Sequence, residues 1–238
     1  PRLKLRIIPK KKVLLRKVEE IAESVGPQVL SAEVDSLRAQ DMLLFSHAEY
    51  EVFCAPPQAI PNILHEIGRL REITFREVGE GTFRAIDTDR FDTYYHHMFI
   101  WNTEDKSIIG AYRLGMGDEI VPRFGLKGFY VNSLFRMKKE MLPVMEKTIE
   151  LGRSFIIKEY QRKTVSLLLL WRGILYVLLK HEQYRQLLGP VTISGEFDTY
   201  SKTNIMTRLR QHQMNRKLSA CGKPTLGTKG IHAPIYPK

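Results

Sequence analysis

The chain has 238 residues, enough for one large domain or one domain with extensions, and 43% of them are hydrophobic, as in an ordinary folded protein. Cys54 and Cys221 lie far apart, form no CxxC pair and fit a reducing compartment, and no apolar segment follows the basic N-terminus as a secretory signal would require. The net charge is +11, but residues 1–17 and 199–238 each carry eight Lys or Arg and no acid, so the middle is mildly acidic.

The basic ends attract an anionic partner, which leaves a phospholipid surface, an acidic carrier protein or nucleic acid as interpretations, beside solvated tails that aid solubility. A nucleic-acid partner is disfavoured for two reasons. No aromatic residue lies among the Lys and Arg side chains of residues 1–17, as stacking on single strands would require, and the sequence has no helix-turn-helix or zinc pattern. We expect a cytoplasmic protein with peripheral contact to an anionic inner membrane.

The first 30 residues predict a basic arm with a helix over residues 13–25, ended by Gly26-Pro27. The chain does not begin with Met, so we interpret it as a processed product or as one part of a longer protein with two activities. We place the main domain at residues 31–215 and an irregular basic tail at residues 216–238.

Apolar periodicity and turn residues predict the elements of the main domain. The predicted helices are residues 31–40, 58–78 (with Pro61 in the first turn), 167–179 and 201–213. The predicted strands are residues 43–55, 97–101, 107–114, 149–157 and 191–194, the last one opened by Gly189-Pro190. Residues 115–128 are rich in glycine and predict a loop. This order indicates a mixed α/β sheet whose later strands are parallel, joined by the helix of residues 167–179.

Several common chemistries have no motif in the chain. It contains no GxxxxGK[ST] phosphate loop and no GxSxG nucleophile elbow. None of its seven His has an Asp five positions later, so a catalytic His-x4-Asp pair is also absent from the sequence. His96-His97 lacks a further ligand at helical spacing, so we predict no metal site.

Charges occur where the pattern predicts buried elements. Glu150 and Arg153 interrupt the apolar strand of residues 149–157, and Arg113 lies in another predicted strand. A buried charge is unfavourable unless it is paired or functional. The set indicates either a structural salt-bridge network or a site at the strand ends, and the recurrence of acids and arginines favours the site.

Four charged motifs follow one another along the chain: Arg71 with Phe75, Asp89-Arg90-Phe91-Asp92, Gly110-Ala111-Tyr112-Arg113-Leu114, and Glu150-Leu151-Gly152-Arg153-Ser154-Phe155. In this order and spacing they resemble acyl-homoserine-lactone synthases. They resemble still more the bacterial ornithine- and glycine-lipid N-acyltransferases, a GNAT-superfamily group also labelled hemolysins. The resemblance covers roughly residues 50–200.

The resemblance implies a GNAT-like α/β fold, with a mixed, mainly antiparallel sheet whose central strands splay to admit a pantetheine arm. It implies transfer of a long-chain, often 3-hydroxylated, acyl group from acyl carrier protein to the amino group of an amino acid of the glycine or ornithine type. The implied site residues are Glu150, Arg153 and Arg113 as catalytic residues, with Asp89, Asp92, Arg71 and Phe75 in substrate binding.

The usual GNAT loop for the coenzyme A pyrophosphate, Gln/Arg-x-x-Gly-x-Gly/Ala, is absent after Ile157, where a charged run stands instead. We expect Lys158, Arg162 and Lys163 to pair with an acyl carrier protein donor, with acyl-CoA and a solvated loop as alternatives. No bound cofactor is expected.

We expect Glu150 to act as the base, because a strand interior raises a carboxyl pKa, and Arg113 or Arg153 to hold the acceptor carboxylate. Two other functions remain open. One is a signal synthase that also forms a lactone, which the missing family Trp after the Arg71–Phe75 segment disfavours. The other is a non-enzymatic module that binds anionic membrane or nucleic acid.

Overall fold

The structure is a computed structural model that describes residues 18–193, 197–215 and 222–224. Its helices and strands follow in chain order: α1 (Pro27–Ala39), β1 (Leu43–His47), β2 (Tyr50–Ala55), α2 (Pro61–Glu77), β3 (His96–Asn102), β4 (Ser107–Met116), α3 (Gly117–Phe124), α4 (Val131–Leu134), β5 (Phe135–Met137), α5 (Leu142–Glu146), β6 (Thr148–Ile156), α6 (Thr164–Lys180), β7 (Gln186–Leu188), α7 (Thr199–His212) and β8 (Gly222–Pro224).

Six strands form the main sheet in the order β1-β2-β3-β4-β6-β7. All neighbours are antiparallel except β6 and β7, which are parallel and are joined by the crossover helix α6. Strands β5 and β8 form a separate antiparallel pair. The mixed, mainly antiparallel α/β sheet confirms the predicted fold class, including the parallel crossover through the apolar helix.

Alternation along the strands supplies two apolar faces. On one face, Phe53 and Phe99 stack with ring centroids 5.4 Å apart and pack with residues of α1 and α2. On the other face, Val52 and Met98 pack against α6, whose Leu170 is buried. A third apolar cluster lies beneath α3 and α5, where Phe129 and Met145 are fully buried. Helices therefore flank both sides of the sheet.

The parallel pair β6–β7 opens after three residues. Thr148 to Glu150 pair with Gln186 to Leu188, and no further residue pairs between these two strands are formed in the described part of the chain. Beyond that point, residues 151–154 and residues 189–192 line the same cavity. The resemblance implied splayed central strands, whereas this separation lies between β6 and β7, the last strand of the sheet in the described residues.

A β-bulge in β6 changes which way its side chains point. Arg113 of β4 pairs with Gly152 and Ala111 pairs with Phe155, so three steps along β6 oppose two steps along β4. Arg153 occupies the extra position with a φ of 52°, in the left-handed region. Because of this extra residue, Glu150 and Arg153 approach the same side of the sheet, although alternation would place residues three apart on opposite sides.

Three predicted elements were wrong. Residues 18–26 form no helix, and residues 13–17 lie outside the described residues; the helix instead begins at Pro27, because proline is favoured at the first helical position. Residues 43–55 form two strands instead of one, with a turn at Ala48, whose φ is 51°. Residues 191–193 are irregular, Ser194 lies outside the described residues, and β7 precedes Gly189.

The predicted glycine-rich loop over residues 115–128 was also wrong. It contains the end of β4, helix α3 and a 3-10 turn. Here glycine marks close packing: a Cβ on Gly117 would collide with the Met145 carbonyl oxygen, and one on Gly115 would collide with the Tyr95 ring. The helices predicted at residues 31–40, 58–78, 167–179 and 201–213 were confirmed, with ends shifted by a few residues. The domain limits at residues 31 and 215 stay a prediction.

In the described residues, no helix is long and apolar enough to cross a bilayer.

Candidate active site

A buried ion-pair cluster lies where α2, the loop before β3, β4 and β6 meet. Arg71 of α2 is 1% exposed and is surrounded by two acids of that loop. Its Nε lies 3.0 Å from Asp87 Oδ2, and its two Nη atoms lie 3.2 and 2.9 Å from the two carboxylate oxygens of Asp92. It also donates to the Asp87 carbonyl oxygen. All three guanidinium nitrogens are engaged, so Arg71 anchors the loop from inside the fold.

A 3-10 turn at Arg90–Thr93 positions the next two carboxylates. Asp89 Oδ1 accepts from the Phe91 amide at 2.8 Å, and Asp92 Oδ2 accepts from the Asp89 amide at 2.7 Å, which makes a capping box. Burial alone would raise the pKa of Asp92, but Arg71 and Arg113 outweigh it and hold that pKa well below its usual range. Both carboxylates therefore face β4 in a fixed orientation, with that of Asp92 ionised.

Arg113 of β4 connects this turn to the cavity between β6 and β7. Its side chain is 1% exposed, and its Nη1 lies 2.8 Å from Asp89 Oδ1 and 3.1 Å from Asp92 Oδ1. The rings of Phe91, Tyr95 and Tyr130 surround the guanidinium at 5.2–5.7 Å. Its Nε is buried and has no hydrogen-bond partner among the described residues. Arg113 thus has one buried N–H without an acceptor in the described residues, while two acids fix its position.

Arg153 reaches the same acids from the bulge in β6. Its Nη1 lies 3.3 Å from Asp87 Oδ2 and its Nη2 lies 3.7 Å from Asp89 Oδ2, and its side chain is 22% exposed. Its guanidinium lies 5.7 Å from the Tyr130 ring centroid. As in Arg113, the Nε is buried without a hydrogen-bond partner in the part of the chain that the structure describes. Two arginines therefore each leave one donor unused beside the same opening.

The opening is a cavity of about 500 Å³. Its wall combines both arginines and one acid with aromatic, aliphatic and small residues: Phe75, Glu80, Tyr112, Arg113, Tyr130, Leu151, Gly152, Arg153, Ser154, Gly189, Pro190, Val191 and Thr192. This volume lies within the usual range of roughly 300–1,000 Å³ for a small-molecule site. Of the predicted site residues, it collects Phe75, Arg113 and Arg153.

Glu150 lies beside the cluster but is not part of that wall in the described residues. Its carboxylate accepts from the Val131 amide at 2.6 Å, from the Tyr130 amide at 2.9 Å and from the Tyr95 hydroxyl. Burial raises the pKa of Glu150, and these donors offset that effect only in part. Glu150 and Arg153 are not paired with each other; each has partners of its own.

The predicted donor-binding residues lie elsewhere. Lys158 pairs with Glu77 at 3.0 Å, the Lys163 ammonium lies 3.9 Å from the Tyr160 ring centroid, and Arg162 is exposed. All three lie on the surface turn between β6 and α6, outside the wall of the cavity. The described residues contain no cluster of His, Cys, Asp or Glu that could hold a metal ion.

Two participants were missed in the sequence. Asp87 bridges Arg71 and Arg153, yet a single acid in a polar loop carries no signal of burial. Tyr130 places its ring against both cavity arginines, and it follows the stretch that was interpreted as a loop. His97 is a further buried group: desolvation lowers its pKa to about 4, and its Nε2 lies 3.2 Å from the Asp92 carbonyl oxygen.

Comparisons with known proteins show what this chain is similar to. The family model described as an acetyltransferase (GNAT) domain matches residues 70–172, which include the cluster and β6. A glycine N(alpha)-acyltransferase of Bacteroides thetaiotaomicron is 32% identical over 218 residues, covering 84% of this chain and 62% of that protein. One of Phocaeicola vulgatus is 31% identical over 210 residues, covering 82% of this chain and 63% of that protein.

A third relative, an L-ornithine N(alpha)-acyltransferase of Brucella abortus, is 32% identical over 112 residues, covering 42% of this chain and 38% of that protein. The chain thus spans a little over three fifths of the length of the two glycine enzymes.

Proposed function

Because this chain carries a GNAT acetyltransferase domain and is similar over most of its length to glycine N(alpha)-acyltransferases, we propose that it is an N-acyltransferase of the aminolipid type. It transfers an acyl group from a thioester to the α-amino group of an amino acid. The observation that carries the proposal is that Arg113 and Arg153 both line the cavity between β6 and β7, and that each has a buried Nε without a hydrogen-bond partner among the described residues.

The acceptor is an amino acid of the glycine or ornithine type, and its carboxylate binds the two arginines. A carboxylate can accept one N–H from each guanidinium, and charge-assisted bonds of this kind are short and strong. Asp87, Asp89 and Asp92 hold the guanidinium planes and balance their charge, so the acceptor meets prepared donors. Arg71 supports these acids from within, and Phe75 closes one side of the cavity.

Glu150 is our proposed proton acceptor. The bound amino acid arrives as an ammonium, which must lose a proton before its nitrogen can attack. Burial raises the Glu150 pKa toward the range a base needs, and its strand leads directly into the cavity wall at Leu151. Its bonds to the Tyr130 and Val131 amides turn it away from the cavity, so this role requires the Tyr130 turn to move when substrates bind.

The reaction itself requires placement and charge stabilisation. The amine nitrogen attacks the thioester carbonyl, the carbon–nitrogen bond forms, the carbon–sulfur bond breaks, and the thiol leaves with the second amine proton. Residues 151–154 are released from parallel pairing where β7 diverges, and we assign their backbone N–H groups to the developing oxyanion. A thioester is already activated, so no further cofactor is needed for this step.

For the donor we propose a long-chain 3-hydroxyacyl group on acyl carrier protein. The turn before α6 has no glycine to bring backbone amides around a pyrophosphate, and it presents Lys158, Arg162 and Lys163 to solvent instead. A carrier protein offers one phosphate and an acidic surface, which exposed bases attract. Acyl-CoA is the alternative donor. The basic ends of the chain also support peripheral contact with an anionic membrane.

The test is incubation of the full chain with 3-hydroxypalmitoyl carrier protein or the matching acyl-CoA, with a panel of amino acids, read by mass spectrometry. An N-acyl amide of glycine or ornithine, formed faster from the carrier protein, is the expected product. A lactone formed from S-adenosylmethionine would identify a signal synthase. An absence of any acylated product from both donors would overturn the proposal and leave a binding protein.

A further inference from the structure

Helix α6 has two apolar faces, and only one of them is covered. Its inner face packs on the sheet through residues that are all buried: Ser166, Leu169, Leu170, Gly173, Ile174 and Val177. Its opposite side, which we call the α6 outer face, consists of Leu167, Leu168, Trp171, Leu175 and Leu179. These five side chains are 47–67% exposed. Single exposed leucines are ordinary, but a contiguous apolar helix face indicates an interaction surface.

The ionised side chains of residues 160–181 are all basic, and one of them, Lys180, faces Asp41 at 3.9 Å. From residue 160 to residue 181 the chain contains no Asp or Glu and four bases. Arg162 and Lys163 precede the first turn of α6, Arg172 flanks its middle and Lys180 ends it. All four side chains belong to residues that are exposed. An occupant of this surface therefore meets hydrocarbon in the centre and cationic groups around it.

This charge pattern separates the candidate occupants. A second copy of the chain would bring the same face and the same bases to the interface, since a two-fold contact is self-complementary. The chain's own terminal segments, residues 1–17 and 199–238, carry eight bases each and no acid. Either occupant would bring more positive charges next to the bases of α6, and this repulsion is unfavourable. An anionic surface with an apolar interior fits both features.

We propose that the α6 outer face docks the protein on an anionic phospholipid surface. The five apolar side chains enter the boundary between headgroups and acyl chains, and Arg172 and Lys180 contact the phosphates, while Arg162 and Lys163 at the start of the helix stay free for the carrier-protein donor. Trp171 stands near the middle of the face, and tryptophan favours this boundary because its ring is apolar and its N–H is polar. At 17 residues the helix lies in the plane of the surface and does not cross it.

A groove beside α6 relates the membrane docking to the active site, and this part of the inference rests on the proposed function. A groove of about 360 Å³ lies between α6 and the edge of the sheet, lined by Tyr112, Leu151, Trp171, Ile174, Leu175, Leu178 and Leu187. Tyr112 and Leu151 also line the cavity of the site. The groove and the cavity therefore adjoin at these two side chains, and we place the acyl chain of the product in the groove, next to the face that docks on the membrane.

Two measurements on the full chain test the docking. In flotation with phosphatidylcholine vesicles that contain phosphatidylglycerol, the protein rises with the vesicles, and it does so less at high salt because salt screens the bases. The chain has two tryptophans, and Trp101 is buried, so Trp171 reports the contact. Its emission shifts to the blue on adding these vesicles and is quenched by brominated acyl chains; Trp171→Phe removes both signals.

The decisive variant is Leu168→Glu with Leu179→Glu, which alters the outer face but neither the groove nor the cavity. We expect its vesicle partition to fall roughly tenfold or more, because two apolar anchors are lost and two repelled charges are added. The matched control is Val29→Glu with Val78→Glu, two exposed valines away from α6, which keeps vesicle binding. Thermal unfolding confirms that both proteins are folded.

Equal vesicle binding by the Leu168→Glu/Leu179→Glu variant and the wild type would overturn the proposal, as would no binding by the wild type. Loss of a dimer, or of binding to an acidic carrier protein, in that variant without any vesicle binding by the wild type would assign the face to that partner and equally overturn it. Vesicle binding by a protein that forms no N-acyl product would refute only the proposed function. Turnover with a carrier-protein donor in vesicle-free solution is expected to stay near wild type in the variant.

Discussion

The site cluster and the α6 outer face differ in what they bury: the first buries charged side chains, and the second exposes apolar ones. Under α2 the chain buries Arg71 and Arg113 with their acids, whereas on α6 it leaves Leu168, Trp171 and Leu179 more than half exposed. Most proteins bury hydrocarbon and expose charge. The first region is closed by ion pairs, and the second has no covering group among the described residues. The comparison indicates that one side of the sheet is arranged for chemistry and the other for contact.

The two regions also differ in how their side chains depend on one another. In the cluster, Asp87 and Asp92 each contact two guanidinium groups, so removing one ion leaves others buried without balance. On the outer face, each side chain is mainly in water already. We therefore expect large and coupled effects from substitutions in the cluster, and small, independent effects on stability from the outer face.

The largest expected effect is that of Arg71→Met. It leaves Asp87 and Asp92 with fewer partners inside the fold, and breaking a buried pair in this way costs about 3–5 kcal/mol of the free energy of unfolding. Urea unfolding measures this. Arg38→Met is the matched control, because Arg38 also contacts two carboxylates but is 37% exposed, and its loss costs about 0–1 kcal/mol. Equal losses in the two variants would contradict a buried ion-pair cluster.

The next prediction compares two leucines of α6. Leu170→Ala on the inner face empties a packed site and lowers the free energy of unfolding by about 2–5 kcal/mol. Leu175→Ala on the outer face, where the side chain is 53% exposed, changes it by about 0.5 kcal/mol or less. Denaturant unfolding of both variants reads the difference. A comparable loss for Leu175→Ala would mean that a protein surface covers the outer face.

The pH dependence of stability reports on His97. Desolvation lowers its pKa from 6.5 to about 4, so between these values the unfolded chain binds a proton that the folded chain does not. The free energy of unfolding therefore falls as the pH drops from 6.5 to about 4, by roughly 3 kcal/mol at about 1.4 kcal/mol per pKa unit. In His97→Gln, we expect the free energy of unfolding to change less with pH over this range. Glu150, whose pKa is raised, contributes in the opposite direction in both proteins. An unchanged slope in the variant would refute the assignment to His97.

The smallest expected change in stability among the cluster variants is that of Glu150→Gln. The substituted amide keeps one oxygen for the Val131 amide but leaves the Tyr130 amide facing a donor, which costs about 1–3 kcal/mol. As the proposed base is lost, turnover is expected to be abolished while the protein stays folded, and steady-state kinetics with a folding control measure this. Near-normal turnover would exclude the role of base.

Much of the fold could be predicted from local pattern. The strand of residues 149–157 and the helix of residues 167–179 were found because apolar runs of these lengths have few alternatives, and their parallel crossover followed. The errors occurred where tertiary contacts decide. Positions 115 and 117 require glycine because Tyr95 and Met145 pack closely against them, and the local sequence does not show these distant neighbours. Gly26-Pro27 is compatible with the end of one helix as well as the start of another, and in the structure Pro27 starts a helix.

The site was predicted less completely. The resemblance of the motifs to a known family implied Arg113, Arg153 and Phe75, and these three residues lie in the cavity wall. It did not reveal that the bulge at Arg153 redirects β6, since a left-handed arginine has no sequence signal, or that the Glu150 carboxylate would turn toward the Tyr130 amide. Asp87 was missed as a partner because its burial depends on Arg71, one helix away.

The most direct test of the central claim is the ratio of kcat/KM for glycine to kcat/KM for glycinamide, in the wild type and in Arg153→Gln. If Arg113 and Arg153 bind the acceptor carboxylate, the wild type prefers glycine roughly tenfold to hundredfold, as expected for a hydrogen bond to a charged group. In Arg153→Gln that preference collapses toward one, while the KM for the acyl donor stays close to the wild-type value. An unchanged preference in the variant would contradict the claim that these arginines select the acceptor.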